Sequence, residues 1–507
     1  MTFTSMPIKT RAKFLLATAC AAGLLAGCAA VGPNYAPPPA ATASGYVQAG
    51  DDGNPGPSQV AIGDKVAAEW WSLFQSPALD QLVREAIANN RSLAEARARL
   101  AQSRDQIDEQ SGLFSADLTS SIKRERANLN AFSGGAFSAS SLPGGLSFPT
   151  NPEFNLYSVG PSVSYNLDLF GGKRRQVESL RALAEAQARE LDAAYLTLTG
   201  KVVEQALTIA DATIQARALS EIAANDQADL DMMRKAQAAG GASSADVALA
   251  EATLAQDLAM VPAQRQRLAA ARHNMAVLVG KAPSDWAPPD FDAGSGTLPM
   301  TLPVSLPSAL VRNRPDILEA EARLHSATAD IGVATAALYP NITLSANFSL
   351  DALTPETLFD KTSTSWAFGA GLTAPIFHSG ELKAKQREAK EAARAALFVY
   401  EETVLEAFNQ VADALTAVGH DNQAYADQTR ALDAATDRLG MVRKAYGEGG
   451  VSAQQVVRAE RDWRRTRLAL SQQGTGRFGD AARLLLATAN VPAGAASTEV
   501  ADQHSGQ

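Results

Sequence analysis

Two stretches of the chain carry matching residues in the same order 209 positions apart, and this internal repeat limits the fold more than any other feature. Met233-Arg234-Lys235-Ala236, Gly240-Gly241-Ala242-Ser243 and Ala250-Glu251 return as Val442-Arg443-Lys444-Ala445, Gly449-Gly450-Val451-Ser452 and Ala459-Glu460. Earlier in each half, Arg99-Leu100 and Leu113-Phe114 are echoed by Arg323-Leu324 and Leu338-Tyr339, at offsets of 224 and 225. The offset shrinks because the first half carries the longer internal loop. Echoes that keep their order predict a duplicated unit of roughly 210 residues.

Within each unit the hydrophobic period switches from helix to strand and back. Residues 78–112 and 316–337 are dominated by Ala, Leu, Glu and Arg, which favour helix. Strict alternation follows. Tyr157, Val159, Pro161, Val163, Tyr165, Leu167 and Leu169 are separated by small or polar residues, as are Ile342, Leu344, Ala346, Phe348 and Leu350, and then Trp366, Phe368, Ala370, Leu372 and Ile376. Ala116, Leu118, Ser120 and Ile122 alternate more weakly. The pattern predicts four strands in two hairpins, each with one apolar and one polar face. A soluble sandwich has such strands, and so does a lipid-facing barrel wall. For the barrel, four strands are too few, because closure takes at least about eight and open edges do not survive in hydrocarbon. A barrel would have to pool strands between subunits, with residues 129–155 and 352–364 as its long exterior loops.

Each hairpin leads into a long stretch without proline, 172–239 and 380–445. As a helix, about 66 residues reach about 100 Å. Ala188, Leu191, Tyr195, Leu198, Val202, Ile209, Ala216 and Leu219 fall at the three-four spacing of a coiled-coil seam. Glycine turns at Gly240-Gly241 and Gly449-Gly450 reverse the chain into partner helices, 243–279 and 452–486.

The N-terminus bears on compartment. Lys9, Arg11 and Lys13 precede an apolar run at 14–27 that is too short to span a bilayer as a helix. The run ends in Leu25-Ala26-Gly27-Cys28, the pattern of a bacterial lipobox, which makes Cys28 the expected site of covalent lipid attachment. The next residue, Ala29, is not the aspartate that favours inner-membrane retention. Cys20 would leave with the leader, so no disulfide is expected within the mature chain. A formal net charge of -9 disfavours nucleic acid as a partner, and 5 scattered histidines with 2 cysteines offer no metal cage or cofactor site. Gly369-Ala370-Gly371-Leu372-Thr373-Ala374 imitates a dinucleotide fingerprint but meets Pro375 instead of opening a helix, and no catalytic motif is present.

Several segments together resemble the TolC/NodT-type outer-membrane factors of bacterial efflux and secretion systems. They are Leu25-Ala26-Gly27-Cys28 with the following VGPNYAPP, Glu69-Trp70-Trp71 leading to Pro77-Ala78-Leu79-Asp80-Gln81-Leu82, and Asn89-Asn90-Arg91-Ser92-Leu93. They continue with Tyr165-Asn166-Leu167-Asp168-Leu169-Phe170-Gly171-Gly172, Leu306-Pro307-Ser308-Ala309-Leu310 running into Arg314-Pro315-Asp316-Ile317, and Ala374-Pro375-Ile376-Phe377. The resemblance covers nearly all of the mature chain.

The resemblance implies a mixed α+β membrane protein with two structural repeats. Four transmembrane β-strands per chain would join a trimeric barrel of 3 × 4 strands, and long coiled-coil helices would form a periplasmic α-barrel. The expected layout is a lipoprotein signal peptide at 1–27, an acylated N-terminus and Pro/Gly-rich tether at 28–66, and a first repeat at 67–290 with β-hairpin 115–169 and helical hairpin 172–279. A linker at 291–306, a second repeat at 307–490 with β-hairpin 341–376 and helical hairpin 380–487, and a C-terminal tail at 491–507 complete it.

Function would be passive export, not catalysis. The implied protein is the outer-membrane exit duct of a tripartite efflux pump: a homotrimer in outer-membrane lipid, docked to a periplasmic adaptor and an inner-membrane pump, usually of the resistance-nodulation-division type. An outer-membrane component of type I protein secretion and a structural periplasmic coiled-coil lipoprotein are the alternatives. Gly240, Gly241, Gly449 and Gly450 are the adaptor-contact candidates, since small residues admit another hairpin close to the backbone. By the resemblance, Asp246 would hold Tyr446 as a gate latch, with Val451 where the family has an arginine and Gln455 and Arg458 where it has an aspartate ring.

Overall fold

The computed structural model describes residues 30–39, 45–47, 60–64, 66–67, 69–112, 114–126, 153–289, 298–299, 301–489 and 491, which fall into two compact units. Cys28, the leader, residues 127–152 of the first loop and the tail beyond 491 lie outside the described residues.

The first unit gathers Met1–Ala36, Arg104–Ala182 and Leu324–Ala395. Its centre is an antiparallel sheet ordered β2-β3-β5-β6, made of β2 (Phe114–Arg126), β3 (Glu153–Leu167), β5 (Asn341–Ala352) and β6 (Thr364–Thr373). The alternating segments become these strands, except that Leu169 falls in a turn and Ile376 beyond Pro375, both past the strand ends. The turn after β3 has a chemical reason. The Asp168 carboxylate accepts the backbone N–H groups of Lys173 and Arg174 at 3.0 and 2.9 Å, satisfying two otherwise unpaired donors at the start of the next helix. Gly171 has φ +73, and a Cβ there would lie 2.4 Å from that of Ala30. Phe170 stacks on Tyr339 at 4.6 Å.

Residues 28–66 do not form a free tether where they are described. Val31 donates to the Phe170 carbonyl at 3.0 Å, and the buried Arg175 donates to the Val31 carbonyl at 3.2 Å and to Asn34 Oδ1 at 2.7 Å. Tyr35 stacks on His325 at 4.3 Å. In the second unit, Tyr46 packs on Phe408 and donates to the Ser305 carbonyl at 2.8 Å. There β1 (Val60–Ile62) pairs in parallel with β4 (Leu302–Val304), inside the stretch read from sequence as a linker. Low apolar content masked this strap because its seat is supplied by single side chains and backbone carbonyls.

The second unit contains Pro37–Ser103, Leu183–Arg323 and Ala396–Gln507. Two corrections concern its shorter helices. The first helical stretch is broken into α1 (Pro77–Asn89) and α2 (Arg91–Ser111) at Asn90, whose Oδ1 accepts the Leu93 N–H while its amide donates to the Leu278 carbonyl at 2.8 Å. A sequence rich in helix formers conceals this cap, since the bond that rewards it is 188 residues away. The second stretch is preceded by α5 (Pro307–Asn313), with a break at Arg314 before α6 (Pro315–Ala336). Extended backbone is what proline imposes on the residue before it. Arg314 then donates to Asp316 at 2.9 Å and to the Ala487 carbonyl at 3.3 Å.

The long helices are α3 (Gly172–Ala238) and α7 (Glu381–Gly447), 67 residues each, partnered by α4 (Ser244–Leu278) and α8 (Ala453–Thr488). Leu191, Tyr195, Leu198, Val202, Ile209 and Leu219 are buried, as the three-four spacing predicts. Trp70, Trp71 and Phe74 are sealed into the same core, with Trp70 Nε1 donating to Thr199 Oγ1 and Trp71 Nε1 to Asp80 Oδ1. Pro262 lies inside α4.

Candidate functional site

Register makes the sheet two-faced. Tyr165 opposes Leu344, Leu344 opposes Ala370, Ala346 opposes Phe368, Phe348 opposes Trp366 and Ile342 opposes Leu372, so the apolar residues of neighbouring strands share one face. Several are largely exposed on that face: Trp366, Phe368, Leu372, Leu118 and Ile122 are 79%, 71%, 67%, 77% and 70% exposed. On the other face hydroxyls pair across strands. Ser115 meets Ser164 at 2.8 Å, and the Asp351 carboxylate accepts from Ser158 at 2.6 Å, Ser349 at 2.7 Å and Ser365. β2 and β6 are the edges of the sheet within the chain.

β3 is central yet contains Pro161, which has no N–H to give. The β3–β5 ladder runs from Tyr157–Ala352 to Val159–Leu350 and resumes at Ser162–Asn347, skipping Gly160 and Pro161. Gly160 has its own reason, because a Cβ there would lie 2.0 Å from the Phe348 carbonyl oxygen.

The two helical hairpins end in turns of one design. Gly240 and Gly449 have φ +77 and +75. Gly240 N–H donates to the Gln237 carbonyl and Gly241 N–H to that of Ala236; Gly449 and Gly450 repeat this with Tyr446 and Ala445. These paired bonds are those of a Schellman cap, which explains a left-handed glycine at each turn. The internal repeat extends to an ion pair: Arg234 reaches Glu251 at 2.6 Å, and Arg443 reaches Glu460 at 2.6 Å. The copies differ after the turn. Ser243 and Asp246 form a reciprocal capping box, whereas Ser452, with Gln455 at the position matching Asp246, makes no side-chain cap.

The family resemblance pairs Asp246 with Tyr446. In this chain the Asp246 carboxylate accepts from Ser243 N–H at 3.0 Å and Ser243 Oγ at 2.7 Å. Those two hydrogen bonds and the charge of Arg458 hold it below the usual carboxylate range. Arg458, from the second hairpin, contributes through its charge alone and is the smallest of these influences. Among the described residues no hydrogen bond joins Asp246 to Tyr446, which is 50% exposed, and Gln455 is exposed at the start of α8. Sequence reasoning missed Arg175 and Arg461 altogether; each is an arginine on a helix that otherwise reads as solvated, and no local motif signals its buried partners. Among the described residues no cluster of His, Cys, Asp and Glu is placed to hold a metal, and no helix is long and apolar enough to cross a membrane.

Comparison with known proteins follows the same two halves. A family described as outer membrane efflux protein matches residues 82–281 and 306–490. The chain is 30% identical over 456 residues to nodulation protein T of Rhizobium leguminosarum bv. trifolii, covering 89% of this chain and 91% of that protein. It is 32% identical over 417 residues to the antibiotic efflux pump outer membrane protein ArpC of Pseudomonas putida, covering 80% of each. Among solved structures, the outer-membrane channel OprN superposes with a TM-score of 0.77 at 27% identity, covering 91% of this chain and 99% of that one.

Proposed function

The chain belongs to the outer membrane efflux protein family, and from that premise we propose that it is one of three identical subunits of an outer-membrane exit duct. The observation that carries the reading is the sheet: one apolar face, exposed most on β2 and β6 and half-buried on much of the strands between them, one hydroxyl-bearing face, and edges at β2 and β6. Three such sheets joined edge to edge, 3 × 4 strands, make a ring large enough to close with lipid outside and water inside. No lone chain can do so, since four strands leave edges that hydrocarbon does not tolerate.

The helical hairpins continue the passage through the periplasm, and the turns at Gly240-Gly241 and Gly449-Gly450 take the adaptor of a tripartite pump, with a resistance-nodulation-division transporter in the inner membrane supplying the energy. The duct itself carries out no chemical step. Acylation at Cys28 adds an anchor, each buried methylene contributing about 0.8 kcal/mol of membrane affinity. Relatives named for antibiotic efflux support the cargo class of small toxic molecules.

Planar-bilayer recording of the purified protein tests the proposal together with crosslinking. Discrete conductance steps and a three-chain crosslinked species are expected. A protein that crosslinks only as a monomer and leaves the bilayer silent would overturn it. Mass spectrometry of the mature N-terminus tests the lipid separately, with an unmodified Cys28 as the contrary result.

A further inference from the structure

Roughly 20 Å in from the glycine turns, counting 1.5 Å per helical residue, three helices of the second unit meet around two carboxyl groups. Asp226 on α3 and Asp257 on α4 are 6% and 3% exposed. Their carboxyls lie within hydrogen-bonding reach of each other. Two carboxylates in that position repel when both are ionised, and one shared proton removes the repulsion. From α8, Arg461 donates to Asp257 Oδ2 at 2.7 Å and stands 4.0 Å from Asp226 Oδ2. One turn further on, Arg465 reaches Asp257 Oδ1 at 3.5 Å. Asp229 of α3 faces Glu460, Arg464 and Arg461 of α8 in the same layer, and Glu460 is also paired with Arg443 of α7.

We propose that Arg461, Asp257 and Asp226 form a lock between the two helical hairpins of one chain, engaged while the duct is shut and released when the hairpins part. The lock rests on the duct reading given above. It differs from the tip residues in place and in chemistry. Arg461 is carried by the α7–α8 hairpin, whereas both carboxyls belong to α3–α4, so the hairpins cannot separate at this level without leaving Asp257 without its closest cationic partner. Stripping a buried charge of its partner is far more costly than losing an exposed pair.

The shared proton gives the lock a direction. Burial is the largest influence on Asp226 and raises its pKa to about 6, with the neighbouring Asp257 adding to the rise and Arg461 opposing it. Against the same effect of burial, Asp257 is held below the ordinary range by the hydrogen bond from Asp226 and by Arg461. Parting the hairpins lets water in and removes the larger influence, returning Asp226 toward its ordinary value. The engaged arrangement therefore binds the proton more tightly than the parted one, and acid favours engagement. As pH rises through about 6, Asp226 loses the proton and the lock weakens.

The test uses the full-length trimer in planar bilayers between about pH 5 and pH 8, with heat-resistant trimer bands as the folding control. Wild-type conductance is expected to rise several-fold across that range. Asp226→Asn, whose amide keeps the protonated shape, should stay at the low acidic level throughout, and Arg461→Met should stay high throughout. A conducting wild type with no change across the range, or an Asp226→Asn channel that titrates as wild type does, overturns the lock and leaves the duct standing. A silent bilayer overturns the duct, and hydrogen exchange then decides the lock alone. Corrected for intrinsic rate, protection of the α8 amides near Arg461 should fall about tenfold from acidic to neutral pH and be lost at both in Arg461→Met. Equal protection in all of these samples overturns the lock.

Discussion

Gly32 and Gly332 cross so closely that a Cβ on Gly32 would lie 2.5 Å from the Gly332 Cα. The same crossing seats Arg175, whose Cγ would lie 2.6 Å from a Cβ on Gly332. Gly332→Val should therefore push Arg175 off the carbonyls of the strap, at a cost of about 2 kcal/mol or more. Limited proteolysis reads this directly. Residues 30–39 are expected to become cleavable in the variant while the remainder of the chain resists, and an unchanged digestion pattern would count against the seat.

Gly160→Ala tests the interruption in the β3–β5 ladder. Its new methyl would face the Phe348 oxygen at 2.0 Å and the Ser349 Cα at 2.6 Å, both backbone atoms that cannot rotate aside. Loss of heat-resistant trimers in gels is expected, by contrast with Gly369→Ala, where the nearest atom is a serine hydroxyl at 3.8 Å.

At the tip, the paired glycines separate folding from docking. Gly240 and Gly449 hold left-handed backbone, so Val at either strains the cap by about 1 kcal/mol or more. Gly241 and Gly450 meet only a carbonyl of their own turn, at 3.5 and 3.4 Å. Trp at these two positions should leave trimers intact and abolish drug resistance in cells. Full resistance in the double Trp variant would remove the turns from the adaptor interface.

For the gate, Asp246 bonds within its own turn and not to Tyr446 among the described residues, and the charge of Arg458 lowers its pKa only as the smallest of several influences. Arg458→Gln is expected to raise single-channel conductance, or vancomycin entry, more than Tyr446→Phe does. A larger effect from Tyr446→Phe would restore the tyrosine as the latch.

Asp192 supplies a pH test of stability. It is 6% exposed, and burial raises its pKa to about 6 despite Arg189 at 3.5 Å. A folded value above the unfolded one means that the native state holds the proton more tightly, so the contribution of this group to stability is fully present below about pH 4 and is lost as pH passes about 6. Asp192→Asn should stabilise the protein by about 1 to 2 kcal/mol near pH 7.5 and leave it unchanged near pH 4, as measured by thermal unfolding.

What could be read in advance follows from where each signal resides. Tyr157 through Leu167 alternate because each residue faces one side of a sheet, and Leu191 through Leu219 recur because one helix face is buried; both periods are local and survive in a string of letters. Gly240 and Gly449 are legible for a similar reason, since a left-handed cap needs its glycine within the turn itself. Asn90 and Arg175 are not, because their partners lie 188 and about 140 positions away and leave no period behind. The tip shows both cases: Ser243 and Asp246 spell a capping box three residues apart, whereas the approach of Arg458 depends on two hairpins meeting.

The free edges of the sheet also bear on inheritance. In a ring closed edge to edge, β2 of one chain must be completed by β6 of the next, so every joint is shared by two gene products and none is private to a chain. A copy with a spoiled β6 still offers a sound β2 and is recruited before the defect is felt. With equal synthesis of sound and spoiled chains, only about one ring in eight contains no spoiled copy. In the proposed ring, edge lesions are thus expected to be dominant, whereas a lesion that prevents the sheet from forming at all removes its chain from assembly and is expected to be recessive.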